Sequence, residues 1–167
     1  TQGVSSAASD VYKRQVKDVL ENIERYSAAN NHYVFEITET IEMDQIPAVQ
    51  NVFKEFVKNE FRFAIDDFGT GYSNYGYMRD RTFDIVKVDR SFVTDIDKLK
   101  DNYLMVSFII KMAHEMGLHV CIEGVETKEE LSCVKKLGAD YIQGYYYGKP
   151  VCLQDFEEQH LKRFVLG

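Results

Sequence analysis

The sequence lacks what a membrane, a secretory route or a nucleic-acid groove would demand. No apolar run approaches the ~20 residues that span a bilayer. The longest helical candidate, around Val106 to Met116, is broken by Lys111, His114 and Glu115. No secretory signal is visible, so the default expectation is a cytoplasmic domain. Cysteine is sparse: Cys121, Cys133 and Cys152 are scattered and form no CxxC pair. An odd, scattered set reads as ordinary thiols in a reducing compartment, not as a zinc site or a disulfide framework. Basic charge is also short. Lys and Arg total 20 against 27 Asp and Glu, a net charge of −7, which argues against binding duplex nucleic acid. A small phosphodiester ligand is still allowed, because bound cations can reverse a local field.

What remains is an ordinary globular composition, 45% hydrophobic and 28% charged over 167 residues, enough for one domain or part of a larger one. Thr1 to Gln15 is rich in Ser and Ala and has no clear period. Its "VSSAASDVYKRQ" run resembles translated adapter sequence, so residues 1–15 are set apart as a non-native or disordered N-terminal segment.

From Val16 onward helical and strand patterns alternate. Val16, Val19, Leu20 and Ile23 fall at helical spacing, and Tyr33 to Ile37 reads as a strand. A helix is predicted over Ile46 to Val57, with Val49, Val52, Phe53, Phe56 and Val57 on one face. Strands are predicted at Phe61 to Ile65, Asp84 to Val88, Leu118 to Ile122 and Ala139 to Ile142. Between them fall a Gly-containing loop from Asp66 to Tyr72, a helix from about Asn102 to Met116 stopped by Gly117, and a helix from Thr127 to Leu137. Thr127 with Glu130 three residues on makes a capping-box pattern. A terminal helix is predicted over Leu153 to Phe164. Apolar strands separated by amphipathic helices imply βα units and a parallel sheet covered on both faces.

Polar residues stand at or just past the ends of these strands: Glu36, Asp66 with Asp67, Lys87, Glu123 and Gln143. In a (β/α) barrel those ends surround the active site. Converging carboxylates repel one another unless cations sit between them. Oxygen donors without His or Cys favour Mg²⁺ or Mn²⁺ over Zn²⁺, and adjacent Asp66 and Asp67 could serve two ions, a device suited to phosphodiester displacement. Lys87 could orient the nucleophile or offset phosphate charge; the plainer alternative is a structural ion pair with a neighbouring carboxylate.

The run Asp66-Asp67-Phe68-Gly69-Thr70-Gly71-Tyr72-Ser73 reads as a mobile site loop, since its glycines directly follow two candidate ligands. A bare GxG would mean only a turn. In Glu123-Gly124-Val125-Glu126-Thr127, Glu123 is a candidate ligand or base, while for Glu126 a helix-dipole role weighs as much as a functional one. His32, His114, His119 and His160 share no spacing that suggests a site. The Tyr145-Tyr146-Tyr147 run could stack on a base, with packing at the barrel rim the stronger reading.

The segments "FEITET", "IDDFGTGYSN", "VKVDRSF", "IEGVET" and "YIQGYYYGKP" resemble, in order, those of the EAL family of cyclic di-GMP phosphodiesterases. The resemblance covers residues 16–167. It implies a metal-dependent hydrolase of cyclic di-GMP that gives linear pGpG with two Mg²⁺ or Mn²⁺ ions. On that likeness Glu36, Asp66, Asp67 and Glu123 are metal ligands, and Glu123 and Lys87 act on the nucleophilic water. Glu39 anchors the loop carrying Gly69, Thr70, Gly71, Tyr72 and Ser73, and Gln143 lies near water or substrate. The family's Glu-Ala-Leu motif and an Asn-bearing strand belong before "YVFEI" and have no counterpart here. The expected fold is therefore α/β, an incomplete TIM-like (β/α) barrel of about five βα units, impaired on its own. EAL domains commonly pair as homodimers and follow sensor or GGDEF-like domains, so both are partners the resemblance implies.

From residues alone, the reading stops at a metal-dependent α/β barrel enzyme acting on phosphate. A non-catalytic cyclic di-GMP receptor, another metal-dependent barrel enzyme such as an enolase-like lyase, and a signalling interaction domain remain as alternatives. Loss of ligand carboxylates would mark the receptor, and the lyase would leave "DDFGTGYS" unexplained.

Overall fold

The computed structural model describes residues 18–23, 33–38, 47–70 and 83–158, with 47–52 by their backbone alone. The Thr1–Gln15 segment, Glu39, Gly71, Tyr72, Ser73, His32, His160 and the end of the predicted terminal helix lie outside the described residues.

Five strands form one sheet in chain order: β1 (Val34–Thr38), β2 (Arg62–Phe68), β3 (Ile85–Val88), β4 (His119–Ile122) and β5 (Tyr141–Ile142). Every neighbouring pair is parallel. Parallel neighbours need crossovers. Among the described residues these include α2 (Pro47–Lys58) between β1 and β2, α3 (Lys100–Glu115) between β3 and β4, and α4 (Lys128–Leu137) between β4 and β5. Residues 18–23 are helical (α1), and Leu153–Phe156 forms α5. The result is the α/β architecture of a partial (β/α) barrel.

The strand period of two divides the sheet chemically. Phe63, Ile65, Val86, Val88, Val120 and Ile122 face the helices and are buried in one core. Phe53 and Phe56 of α2 meet them there, Phe53 packing on Phe63 at 4.0 Å between ring centroids. From α3 come Val106, Ile109, Ile110 and Ala113, and from α4 Leu131 and Val134. The alternate positions Glu36, Ala64, Ile85, Lys87 and Cys121 line a cavity of about 230 Å³ on the other face.

Several boundaries differ from the sequence expectation. β2 runs on through Asp66 and Asp67 to Phe68 instead of yielding to a loop at Asp66. β5 is only two residues long, and Val57, expected on the apolar face of α2, is exposed. His114 and His119, unrelated by spacing, both meet Asp140: His114 Nε2 lies 2.8 Å from Oδ2 and His119 Nδ1 3.5 Å from Oδ1.

Helix ends follow the sequence. Gly117 and Gly138 take positive φ, 79° and 90°, after α3 and α4, the left-handed stop that glycine enters freely. The capping box at Thr127 forms in full, and its glutamate reaches further than the motif requires. Buried Glu130 accepts the N–H of Glu126 (2.9 Å), Thr127 (3.0 Å) and Asp95 (3.2 Å), so one carboxylate joins the loop after β3 to the loop after β4. Burial pushes its pKa up, but those N–H donors prevail and hold it below the usual carboxylate range.

Glu130→Ala is expected to cost about 2 kcal/mol in urea unfolding at neutral pH, the scale of a lost charged cap. A depressed folded pKa stabilises above the unfolded value of about 4.3. The gap between wild type and variant should therefore be complete at neutral pH and close as pH falls through the folded pKa.

Candidate functional site

The site begins with a register fault. Ala64 pairs with Ile85 and Ile65 with Val86, but the next pair is Phe68 with Val88, so β2 carries one extra residue. Asp67 adopts φ 54°, a left-handed conformation that Asp tolerates better than most residues. In a regular strand Asp66 and Asp67 would point to opposite faces; a bulge re-aims one of them. Asp66, Asp67 and Glu123 each offer an oxygen, and the three oxygens lie within 4.8 Å of one another. Thr70 closes the turn beyond, its hydroxyl donating to the Asp67 carbonyl at 2.8 Å. Gly69 (φ 96°) leaves room for the Phe92 ring, whose Cε2 would stand 2.9 Å from a Cβ placed there.

Lys87, on the wholly buried β3, supplies the counter-charge. Its Nζ lies 2.8 Å from Glu36 Oε1, 2.8 Å from Asp66 Oδ1 and 2.9 Å from Glu123 Oε1. The lysine side chain is 8% exposed while Glu36 is 50% exposed, so Glu36 meets the cation from the open side. Burial alone would push Lys87 toward neutrality; Asp66, Glu36 and Glu123 outweigh it and hold the ammonium well above the ordinary lysine range. The structural ion pair named as the plainer alternative is present, and its partners are the candidate ligands themselves.

Asp66 Oδ1 is buried and, despite the ammonium at 2.8 Å, accepts no aligned hydrogen bond. A buried carboxylate oxygen left in that state has capacity for another cation. The neighbouring donors are carboxylates, which suit a hard divalent ion. Cys121 shares this face; burial first and the charge of Glu123 second push its thiol up to about 11, and it is not among the clustered ligand atoms.

The remaining candidates separate. Glu126 is held by Arg90, Nη1 to Oε1 at 3.0 Å, and is not among the clustered acids. Gln143 lines the same cavity as Glu36 and Lys87. Tyr145, Tyr146 and Tyr147 are exposed, with Lys149 Nζ 5.4 Å above the Tyr145 ring. Arg90 and Gly144 fall in the segments "VKVDRSF" and "YIQGYYYGKP" but were not named there as site residues, and both touch the segment that carries Glu123.

Residues 4–150 match the family model for the EAL domain. The chain belongs to the EAL domain family. It is 32% identical over 137 residues to cyclic di-GMP phosphodiesterase PdeL of Escherichia coli, covering 81% of this chain and 37% of that protein. The solved structure of the EAL enzyme Bd1971 with cAMP and cyclic di-GMP is 34% identical, with a TM-score of 0.79 over 86% of this chain and 38% of the other. BlrP1 of Klebsiella pneumoniae, solved with manganese and cyclic di-GMP, is 27% identical with a TM-score of 0.74, covering 81% of this chain and 34% of that one. This EAL chain therefore spans well under half of each.

Lys87→Met would leave the partly buried Asp66 and Glu123 without their cation. Its expected cost is about 3 kcal/mol in denaturant unfolding at pH 7, the low end for a broken buried pair because Glu36 stays solvated.

Proposed function

We propose that the protein carrying this EAL domain hydrolyses cyclic di-GMP to linear pGpG with Mg²⁺ or Mn²⁺. The supporting observation is the convergence of Asp66, Asp67 and Glu123 within 4.8 Å, beside a lysine that already answers two of them. Glu36, Asp66, Asp67 and Glu123 would hold the ions. Bound there, two divalent cations would supply Lewis acidity at the phosphate and offset its charge.

The chain's own groups account for orientation and proton movement. Lys87, its ammonium held among Glu36, Asp66 and Glu123, offsets the charge that builds on phosphorus. Glu123 accepts the proton of that water. As the new O–P bond forms, one ester P–O bond breaks; the leaving oxygen takes up a proton from bulk water, to which Glu123 gives back the one it accepted. The buried β3 floor keeps Lys87 fixed, so little reorganisation is needed at the moment of reaction. Cys121, Cys133 and Cys152 are free thiols, which suits the reducing cytoplasm. No helix among the described residues is long and apolar enough to cross a membrane.

The test is chromatography of cyclic di-GMP incubated with the full-length protein and Mg²⁺ or Mn²⁺. Product pGpG should appear with metal and stop on chelation. Glu123→Gln and Lys87→Ala should each lower kcat by about 10² or more. Tight binding without product under either metal would make the domain a receptor, and neither binding nor product would defeat the reading.

A further inference from the structure

Glu123 stands just beyond β4, where the strand no longer fixes its place, and two neighbours grip the segment that follows it. Its own N–H still donates to the Val88 carbonyl at 3.1 Å. On the β3 side, Asp89 caps a short 3-10 turn, Arg90–Phe92, its Oδ1 accepting the Ser91 N–H at 2.9 Å. Arg90 opens that turn, three residues past Lys87. Gly124 (φ 71°) lies flat under the Arg90 stem: a Cβ there would stand 2.4 Å from Arg90 Cγ. The guanidinium then reaches over Val125 to Glu126 at 3.0 Å.

On the β5 side the contact is with backbone. A Cβ on Gly144 would stand 2.1 Å from the Val125 carbonyl oxygen, the Val125 N–H donates to Gln143 O at 3.2 Å, and Tyr146 N–H donates to Val125 O at 3.0 Å. Of these restraints Arg90 is the one made by a single side chain of the lysine's own strand exit.

We propose that Arg90 is a positioning residue: clamped over Gly124 and paired with Glu126, it keeps Glu123 within reach of Lys87 and of the Asp66–Asp67 pair. The inference rests on the metal-dependent reading above. The pair is largely exposed, 55% for Arg90 and 36% for Glu126, and exposed pairs add little to folding. Its effect belongs instead to the geometry of the acid cluster, as with outer groups that orient metal ligands.

The discriminating experiment uses the full-length protein and measures Mn²⁺ affinity by titration calorimetry without substrate, the metal-free thermal midpoint, and kcat and KM for cyclic di-GMP. Arg90→Met keeps the stem and removes the charge; Arg90→Lys keeps both. Arg90→Met should weaken Mn²⁺ binding and lower kcat by about tenfold, with KM within about twofold and the metal-free midpoint within about 2 °C of wild type, as for other exposed substitutions. Arg90→Lys should recover a clear part of the loss. Wild-type Mn²⁺ affinity in Arg90→Met would overturn the inference, as would an affinity loss matched by equal loss of metal-free stability. If wild type binds Mn²⁺ but yields no product, the proposed activity fails while the affinities still judge Arg90; a wild type that binds no Mn²⁺ removes both.

Discussion

The ammonium of Lys87 is buried in a strand with no exposed residue, and it is tolerated there because three carboxylates lie within 2.9 Å of it. Neither side of that arrangement stands alone. A lone buried ammonium would lose its proton, and the lone acids would repel one another. The partners arrive from separate strands: Glu36 from β1, Asp66 from β2, Lys87 from β3 and Glu123 from just beyond β4. A one-residue slip in any of these strands would turn its charged group into the apolar layer under the helices. Register and electrostatics therefore specify each other, and the helix-facing row of Val86, Val88, Val120 and Ile122, each 0% exposed, enforces the same register from behind.

A regular sheet would still not build the site. Alternation gives each strand one inward side chain per two residues, yet Asp66 and Asp67 both join the acid cluster. The bulge in β2 supplies the exception, and the left-handed φ of Asp67 is its local cost. Glycine supplies room nearby, where Gly69 admits the Phe92 ring and Gly124 the Arg90 stem. The irregular backbone thus sits at the sheet's charged end, while the strand middles keep regular pairing.

Much of this was legible in residue order. Apolar runs such as "DIVKV" and "LHVCI" marked β3, buried on both faces, and β4, buried on its helix-facing side alone, and Thr127, Glu130, Gly117 and Gly138 marked helix ends that form as expected. The polar residues after those runs pointed to one end of the sheet. What escaped the reading was pairwise. Asp66-Asp67 ends an apolar run, so it looked like the start of a loop; its membership in β2 depends on hydrogen bonds to β1 and β3 that no single strand encodes. Glu130 was visible as a cap but not as a tie to Asp95, 35 residues away. Arg90 followed a recognisable strand, yet its partner lies across the next helix and strand.

Charge balance limits how the proposed reaction can run. Glu36, in the middle of β1, with Asp66, Asp67 and Glu123 brings four formal negative charges to the site, and Lys87 returns one positive, leaving three negative. A phosphodiester, itself an anion, would be repelled by that field. One divalent ion still leaves the site at minus one and repulsive. A second takes it to plus one, the first state in which the four acids hold an anionic substrate instead of excluding it. In the proposed reaction Lys87 would be what makes two ions sufficient; without its charge the same two would only neutralise the acids and leave the phosphate no net attraction. The buried lysine therefore has an electrostatic reason to be present that is separate from any part in moving a proton, and it explains why a cation already sits among residues that would bind cations.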